Sequence, residues 1–189
     1  MTEYFDGEIT GGWVLIGMGA AGLTAGGILI ADGGDRAAGA SYVSFGFGAA
    51  HLVAGVYVNI ASRIRKRVYG MAIASELRKT GSAHLFVELE SRRMAGVSTQ
   101  FLVLKIVEVA LIAGGGTMAY VGNTSDRPRL EGAGYALAVE AAATLLFDIV
   151  AARRAHRYRA ALRESTVELG VTSDAAGQPV LLVGPTLRF

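Results

Sequence analysis

Residues 11–31 read GGWVLIGMGAAGLTAGGILIA and contain no charged side chain. A helix needs about 20 predominantly apolar residues to cross the hydrocarbon core of a bilayer, so this stretch predicts a transmembrane helix. Three similar stretches follow at 41–61, 101–121 and 132–152. A single stretch of this kind could be a buried core helix. Four of them leave no soluble body to bury them, and they predict a polytopic membrane protein.

The composition agrees with an apolar environment. Of the 189 residues, 52% are hydrophobic and 18% are charged, whereas soluble domains carry about 25% charged residues. The chain has no cysteine, which excludes a disulfide scaffold, thiolate metal sites and cysteine nucleophiles. Acidic rather than basic residues precede the first apolar stretch, which is not typical of a cleaved signal peptide. The net charge of +2 is too small to indicate a partner.

Basic residues concentrate in two segments that lie on the same side of the predicted membrane. The connection between the first two spans contains only Arg36, and the third connection only Arg127 and Arg129. Because an excess of Lys and Arg marks the cytoplasmic side, both termini are expected in the cytoplasm. The basic residues expected to contact lipid headgroups are Arg63, Arg65, Lys66, Arg67, Arg153 and Arg154.

The predicted fold is an all-α membrane protein with five segments. A cytoplasmic N-terminus at 1–10 precedes a transmembrane hairpin at 11–61, a basic helical segment at 62–98 and a second transmembrane hairpin at 99–152. The last segment, 153–189, is expected to hold a basic helix and a small β-hairpin. In the hairpin, TVELGVT and VLLVGPTLRF flank the turn SDAAGQ, and this alternation of apolar residues around a turn favours paired strands.

A weak internal repeat relates the two transmembrane hairpins. With an offset of 89 residues, His51 aligns with Glu140, Asn59 with Asp148, and Tyr69 with Tyr158. Each unit contains an outward span, a short loop with an Asp-Arg pair, a return span and a basic helix. Two spans in each unit predict parallel repeats, related by an axis along the membrane normal. The alternative is a chance alignment of glycine-rich helices.

Ionisable residues fall inside the predicted spans, where such groups cost roughly 2.5 to 3.5 kcal/mol at the bilayer centre. A rise of about 1.5 Å per residue separates them into two layers at different depths. The shallower layer lies roughly 6 to 8 Å inside the cytoplasmic boundary by that rise, and it contains a predicted ion pair of Lys105 and Asp148 with Asn59 nearby. The deeper layer lies roughly 12 to 18 Å inside, and it contains His51, Glu108 and Glu140.

Two interpretations of these polar layers stay open. They form a proton or cation site or line a pathway, or they only hold the helices in register through hydrogen bonds that contribute under about 1 kcal/mol each. No recognised ligand spacing predicts a metal site, and no cofactor is expected. Small residues allow close helix packing in lipid. The glycines expected at such contacts are Gly19, Gly22, Gly26, Gly114, Gly115 and Gly116.

The fourth span, GAGYALAVEAAATLLFDIVAARR, resembles the last helix of a family of small bacterial four-helix membrane proteins of unknown function. In that family a helix start flanked by glycine leads to a polar residue, then leucines, Phe-Asp and basic residues. Glu140, Phe147 and Asp148 match this pattern, and Glu108 resembles an acidic position there. His51 and Lys105 depart from it. The resemblance implies a four-helix fold in the bacterial inner membrane, and it supplies no activity.

No nucleophile–base pair or phosphate-binding loop is recognisable, so an enzyme is not expected, and neither is a nucleic-acid partner. We expect a structural or accessory membrane subunit that assembles with itself or with a larger inner-membrane complex in the lipid bilayer. The alternative is a small oligomeric channel or transporter that uses the intramembrane polar layer. A third hypothesis is signalling at the membrane surface through binding of the arginine-rich extensions to anionic lipid.

Overall fold

Four long α-helices make up most of the chain. In the computed structural model, α1 is Thr2–Asp32, α2 is Asp35–Thr80, α3 is His84–Thr124 and α4 is Pro128–Val167. The backbone is described for residues 2–80, 84–167, 171–173 and 179–181, and side chains for residues 4–162 except 77 and 80–85. Each of the four helices is long and apolar enough to cross a membrane. The prediction of four long apolar helices is confirmed.

The helices extend well beyond the apolar stretches. α1 already begins at Thr2, so the predicted N-terminal segment is helical almost throughout. α2 has 46 residues and is therefore about 69 Å long at a rise of about 1.5 Å per residue. The hydrocarbon core of a bilayer is only about 30 Å thick. The lower parts of α2, α3 and α4 therefore project from one end of the bundle, which we call the basic end.

Two tight turns close the opposite end, which we call the loop end. Gly33 connects α1 to α2 with φ of +75°, a conformation that glycine adopts without steric cost. Between α3 and α4, Asp126 has φ of 52°, and the Arg127 N–H donates to the Gly122 carbonyl oxygen at 2.8 Å. Pro128 then begins α4 at a position where its missing N–H costs nothing. These turns are shorter than the predicted connections because the helices include most of their residues.

The helices form two hairpins, α1 with α2 and α3 with α4, and these meet mainly through α2 and α4. Most large apolar side chains point away from the bundle. Ile28, Val53 and Leu146 are each about two-thirds or more exposed, at 66%, 72% and 67%. The buried positions are instead occupied largely by small or polar side chains, such as Ser41, Ala119 and Ala141. This distribution is the reverse of that in a water-soluble protein.

Reciprocal contacts join the hairpins near the loop end. A Cβ atom at Gly39 would overlap the carbonyl oxygen of Arg129, and a Cβ atom at Gly132 would overlap that of Arg36. Each glycine thus receives the backbone of the other helix, and an offset of 93 residues exchanges the two contacts, because it relates Arg36 to Arg129 and Gly39 to Gly132. The offset of 89 found in the sequence is not the offset of this interface. The internal repeat itself stays a prediction.

Two three-residue strands follow α4. β1, Val171–Ser173, pairs antiparallel with β2, Pro179–Leu181, and Thr172 lies opposite Val180. The turn of the predicted β-hairpin, residues 174–178, lies outside the described residues, as do residues 182–189. The hairpin as a unit stays a prediction.

Candidate functional site

His51 lies where α2 meets α4 within the apolar part of the bundle. Its side chain is almost completely buried, and its Nε2 is 3.1 Å from the Thr144 hydroxyl oxygen. That hydroxyl donates its single proton to the Glu140 carbonyl oxygen at 2.9 Å, so towards His51 it can only accept. The ring proton is therefore assigned to Nε2. Nδ1 is buried without a hydrogen-bond partner in the described part of the chain, so a second ring proton would have no acceptor there.

Glu108 and Asp148 lie together where α3 meets α4. Both side chains are over nine-tenths buried, with 4% and 6% of their surface exposed. The two carboxyl groups interact with each other, and Lys105, one turn from Glu108 on α3, interacts with both. Neither carboxyl oxygen of Glu108 has a hydrogen-bond partner among the described residues. A buried carboxyl group without such a partner is costly, so this group needs an explanation.

Asp148 links the two sets of polar side chains. It interacts with Glu108 and Lys105 on α3 and with His51 on α2. These side chains form one row across three helices, which consists of Thr144, His51, Asp148, Glu108 and Lys105. The described residues contain no group of three His, Asp or Glu side chains that could hold a metal ion. The imidazole, carboxyl and ammonium groups of this row are of types that bind and release protons.

The two layers predicted from the sequence are grouped differently in the structure. Lys105 and Asp148 interact, but among the ion pairs of the described residues none joins them within 4.0 Å. Asn59 lies at the contact of α1 and α2, where its amide donates to the Ile9 carbonyl oxygen at 3.2 Å. Glu108 joins Asp148 instead of His51, since rotation of α3 about its axis decides which neighbour its side chain meets.

The predicted packing glycines divide into two groups. Gly19, Gly22 and Gly26 lie against α2, and Gly115 lies against α4. A Cβ atom at Gly114 or at Gly116 would have no neighbour within 4 Å in the described structure. The helix contacts inside one chain therefore use only part of the set.

Some of the basic residues predicted to contact lipid instead form hydrogen bonds or ion pairs within the bundle. Arg63 donates to the Asn59 side-chain oxygen at 2.8 Å, Lys66 pairs with Asp6, and Arg154 donates to the Gly7 carbonyl oxygen at 3.3 Å. Lys66 and Arg154 tie the start of α1 to its neighbours, and Arg63 holds the Asn59 side chain, which itself donates to α1. The other members of the predicted set are Arg65, which is half-buried, and Arg67 and Arg153, which are exposed.

The sequence analysis missed a buried group at the basic end, which we call the basic-end cluster: Tyr4, Glu8, Glu90, Arg93 and Tyr158. Glu90 is 1% exposed and accepts two hydrogen bonds from Arg93, at 2.8 and 2.6 Å. The Arg93 guanidinium also lies 5.9 Å from the centre of the Tyr4 ring and 3.9 Å from a Glu8 oxygen. Tyr4 stacks on Tyr158 at 4.2 Å. The cluster thus joins α1, α3 and α4.

A signal for this cluster was present in the sequence. Val87, Glu90, Met94, Val97 and Phe101 recur at intervals of three and four residues, so they share one face of α3. Val87 and Met94 are buried, and Glu90 lies between them on the same face. A carboxylate at the centre of an apolar stripe predicts a buried partner of opposite charge.

The tyrosines of the cluster lie beyond the apolar stretches and titrate far from neutrality. Burial raises the pKa of the Tyr4 phenol, and the neighbouring Glu8 carboxylate raises it further. Burial likewise raises the pKa of Tyr158, with a second contribution from Glu90. Both rings therefore stay neutral at physiological pH, and the only charges in the cluster are those of Glu8, Glu90 and Arg93.

Compared with protein-family models, curated proteins and solved structures, the chain matches none of them. The resemblance of the fourth span to a family of small membrane proteins therefore stays a prediction.

Proposed function

We propose that the protein is a multi-pass protein of the bacterial inner membrane with both termini in the cytoplasm. We further propose that it is a structural or accessory subunit that assembles with itself or with a larger membrane complex. The first part rests on the distribution of apolar, aromatic and charged side chains around the bundle. The second rests on one apolar surface of α2.

Exposed aromatic side chains mark two levels of the bundle. Tyr42, Tyr120 and Tyr135 are exposed on the side of the loop end, and Trp13 and Tyr57 are exposed towards the basic end. Tyr42 and Tyr57 are 15 residues apart on α2, which corresponds to about 22 Å along the helix. Tyr and Trp are enriched at the two membrane–water interfaces. The two levels are consistent with a bilayer crossing between them.

The charges at the two ends support the proposed orientation. At the loop end, Arg36 pairs with Glu131 at 2.6 Å, and Arg129 pairs with Asp35 at 2.7 Å. At the basic end, the arginines of α2 and α4 outnumber the carboxylates that neutralise them. An unbalanced excess of Arg and Lys is typical of the cytoplasmic side, so the loop end is proposed to face outwards.

A continuous apolar stripe on α2 carries the assembly proposal. Its members recur every three or four residues, so they lie on one face of the helix, and each is about half exposed or more. We call it the α2 stripe, and it consists of Val53, Tyr57, Ile60, Ile64, Val68 and Met71. It is about 27 Å long at the helical rise. Met71 lies ten residues beyond the predicted span, about 15 Å below it by the same rise.

Lipid tails cover the upper part of this stripe, but they do not reach Val68 and Met71. Apolar side chains that continue along one helix face into water mark a protein interface. The stripe therefore supports contact with another protein chain, either a second copy or a subunit of a larger complex. Arginines flank its lower half, which favours an acidic surface on the partner.

The absence of cysteine from the sequence makes single-cysteine cross-linking the natural test. Val68→Cys, labelled with a photoreactive maleimide in native membranes, is expected to give a covalent product with a second protein chain after illumination. The expectation follows from the position of Val68 in the lower part of the stripe. Mass spectrometry of the product distinguishes a second copy of the chain from a different subunit.

Gly70→Cys is the matched control, because Gly70 is exposed at almost the same depth on another face of α2, with open space around its Cα atom. We expect this site to give few protein adducts. Equal protein cross-linking at residues 68 and 70, or none at 68, contradicts the assembly proposal.

A further inference from the structure

The environment of Glu108 imposes an unusual charge balance. Its carboxyl group is buried in the apolar part of the bundle without a hydrogen-bond donor among the described residues. Among the described residues, the one cation that interacts with it is Lys105 on its own helix, and the carboxyl group of Asp148 interacts with it from α4. With all three groups ionised, two negative charges share one positive charge in a medium of low dielectric constant. That arrangement is strongly disfavoured.

The remaining neighbours do not restore the balance. On α2, His51 interacts with Asp148, but its Nε2 lies against the Thr144 hydroxyl, and a second proton on its Nδ1 would have no acceptor among the described residues. On α4, Glu140 is a further acid near His51, and α1 has no ionisable side chain between Glu8 and Asp32. None of the described side chains that face the two carboxyl groups therefore supplies a second positive charge.

We propose that Glu108 and Asp148 form an intramembrane proton-binding site, in which the two carboxyl groups share one proton at neutral pH. One bound proton makes the set of Glu108, Asp148 and Lys105 electrically neutral. It also supplies the missing donor, because a protonated carboxyl group donates a strong hydrogen bond to an adjacent carboxylate. When two carboxyl groups share a site, one of them retains its proton.

The charge count also favours the proton over a divalent metal cation. Lys105 already neutralises one carboxylate, so a divalent ion would leave excess positive charge in the apolar layer. A proton binds without the roughly six or more oxygen ligands that Ca²⁺ or Mg²⁺ requires. The site is independent of the assembly proposed above, since it lies between α3 and α4 of one chain.

Infrared spectroscopy of the full chain in an ester-free detergent tests the site. The C=O stretch of a protonated carboxyl group is separate from the amide bands and from the bands of ionised carboxylates. We expect the wild-type protein at neutral pH to show this band with the amplitude of one group per chain. The band should disappear as the pH is raised and the shared proton is lost.

Variants of the three residues distinguish a proton shared by two carboxyl groups from a proton held by one of them. Glu108→Gln leaves the single carboxylate of Asp148 to balance the charge of Lys105, and Asp148→Asn leaves that of Glu108, so each variant is expected to lose the band. Lys105→Met removes the counter-charge, and both carboxyl groups should then hold protons and roughly double the amplitude. Glu140→Gln is the control and is expected to retain the band.

Three results overturn the proposal. The first is the absence of a protonated-carboxyl band in the folded wild-type protein at neutral pH. The second is a band that persists in Glu108→Gln, which assigns the proton elsewhere. The third is a band that persists in Asp148→Asn, which shows that Glu108 holds the proton without sharing it. Circular dichroism of each variant verifies that the helices are intact, and the wild-type titration does not depend on any variant.

Discussion

Replacing Gly39 or Gly132 with alanine is expected to loosen the contact between the two hairpins and to lower stability markedly. A Cβ atom at either position overlaps a backbone carbonyl oxygen, of Arg129 or of Arg36. The backbone of a helix cannot move aside as a flexible side chain can, so the helices must separate. Overpacking typically costs about 1 to 3 kcal/mol and occasionally more, and we expect each variant at or above the upper end of this range. The measurement is the free energy of unfolding in mixed micelles titrated with SDS.

The matched controls are Gly46→Ala on α2 and Gly114→Ala on α3. At both positions a Cβ atom would meet open space. Alanine in a helix interior is favoured over glycine by roughly 0.5 to 1 kcal/mol, so these variants should be unchanged or slightly more stable. If Gly39→Ala and Gly132→Ala unfold with the same free energy as these controls, the close crossing of α2 and α4 is incorrect.

The second large effect is expected for Arg93→Met in the basic-end cluster. Glu90 is buried, and its carboxylate accepts two short hydrogen bonds from Nε and Nη2 along one edge of the Arg93 guanidinium. Removing the arginine leaves a buried carboxylate without its counter-ion. Breaking a buried ion pair in this way costs about 3 to 5 kcal/mol. The free energy of unfolding in mixed micelles should fall by this amount.

Arg92→Met is the control, since the adjacent Arg92 forms an exposed pair with Glu88, at 2.7 Å and one turn apart. Surface substitutions of this kind usually change stability by no more than about 0.5 kcal/mol. The double variant Glu90→Gln with Arg93→Met removes both charges and should recover much of the loss. A large loss at Arg92, or no recovery in the double variant, contradicts the proposed role of the buried pair.

Much of the architecture could be predicted from hydropathy and charge alone. Stretches such as 11–31 are uncharged and as long as a membrane span, so the four apolar helices were predictable. Their full lengths were not. The start of α1 is polar, and it is helical where contacts stabilise it, such as the hydrogen bond from Ser62 to the Glu8 carboxylate at 2.9 Å. Such a contact joins residues 54 apart, and no local pattern reveals it.

The residues of the polar site could be predicted from the sequence, but the contacts that they form with one another could not. Hydropathy identifies His51, Glu108 and Asp148 as polar residues inside apolar stretches. It does not give the rotation and relative height of the helices, which bring His51 to Thr144 and Glu108 to Asp148. The same limit applies to the glycines: Gly115 packs on α4, whereas its neighbour Gly116 faces open space. Periodicity alone does not decide which face of a glycine-rich helix meets a neighbour.

The central claim is that four helices cross one membrane and that both basic segments lie on its cytoplasmic side. Because the chain has no cysteine, single cysteines in an otherwise unchanged chain report sidedness through labelling with a membrane-impermeant maleimide. Gly34→Cys and Ser125→Cys at the loop end should be labelled in intact cells. Lys79→Cys and Arg153→Cys at the basic end should be labelled only after the membrane is opened. Labelling of a basic-end cysteine in intact cells, or protection of a loop-end cysteine until the membrane is opened, contradicts the account.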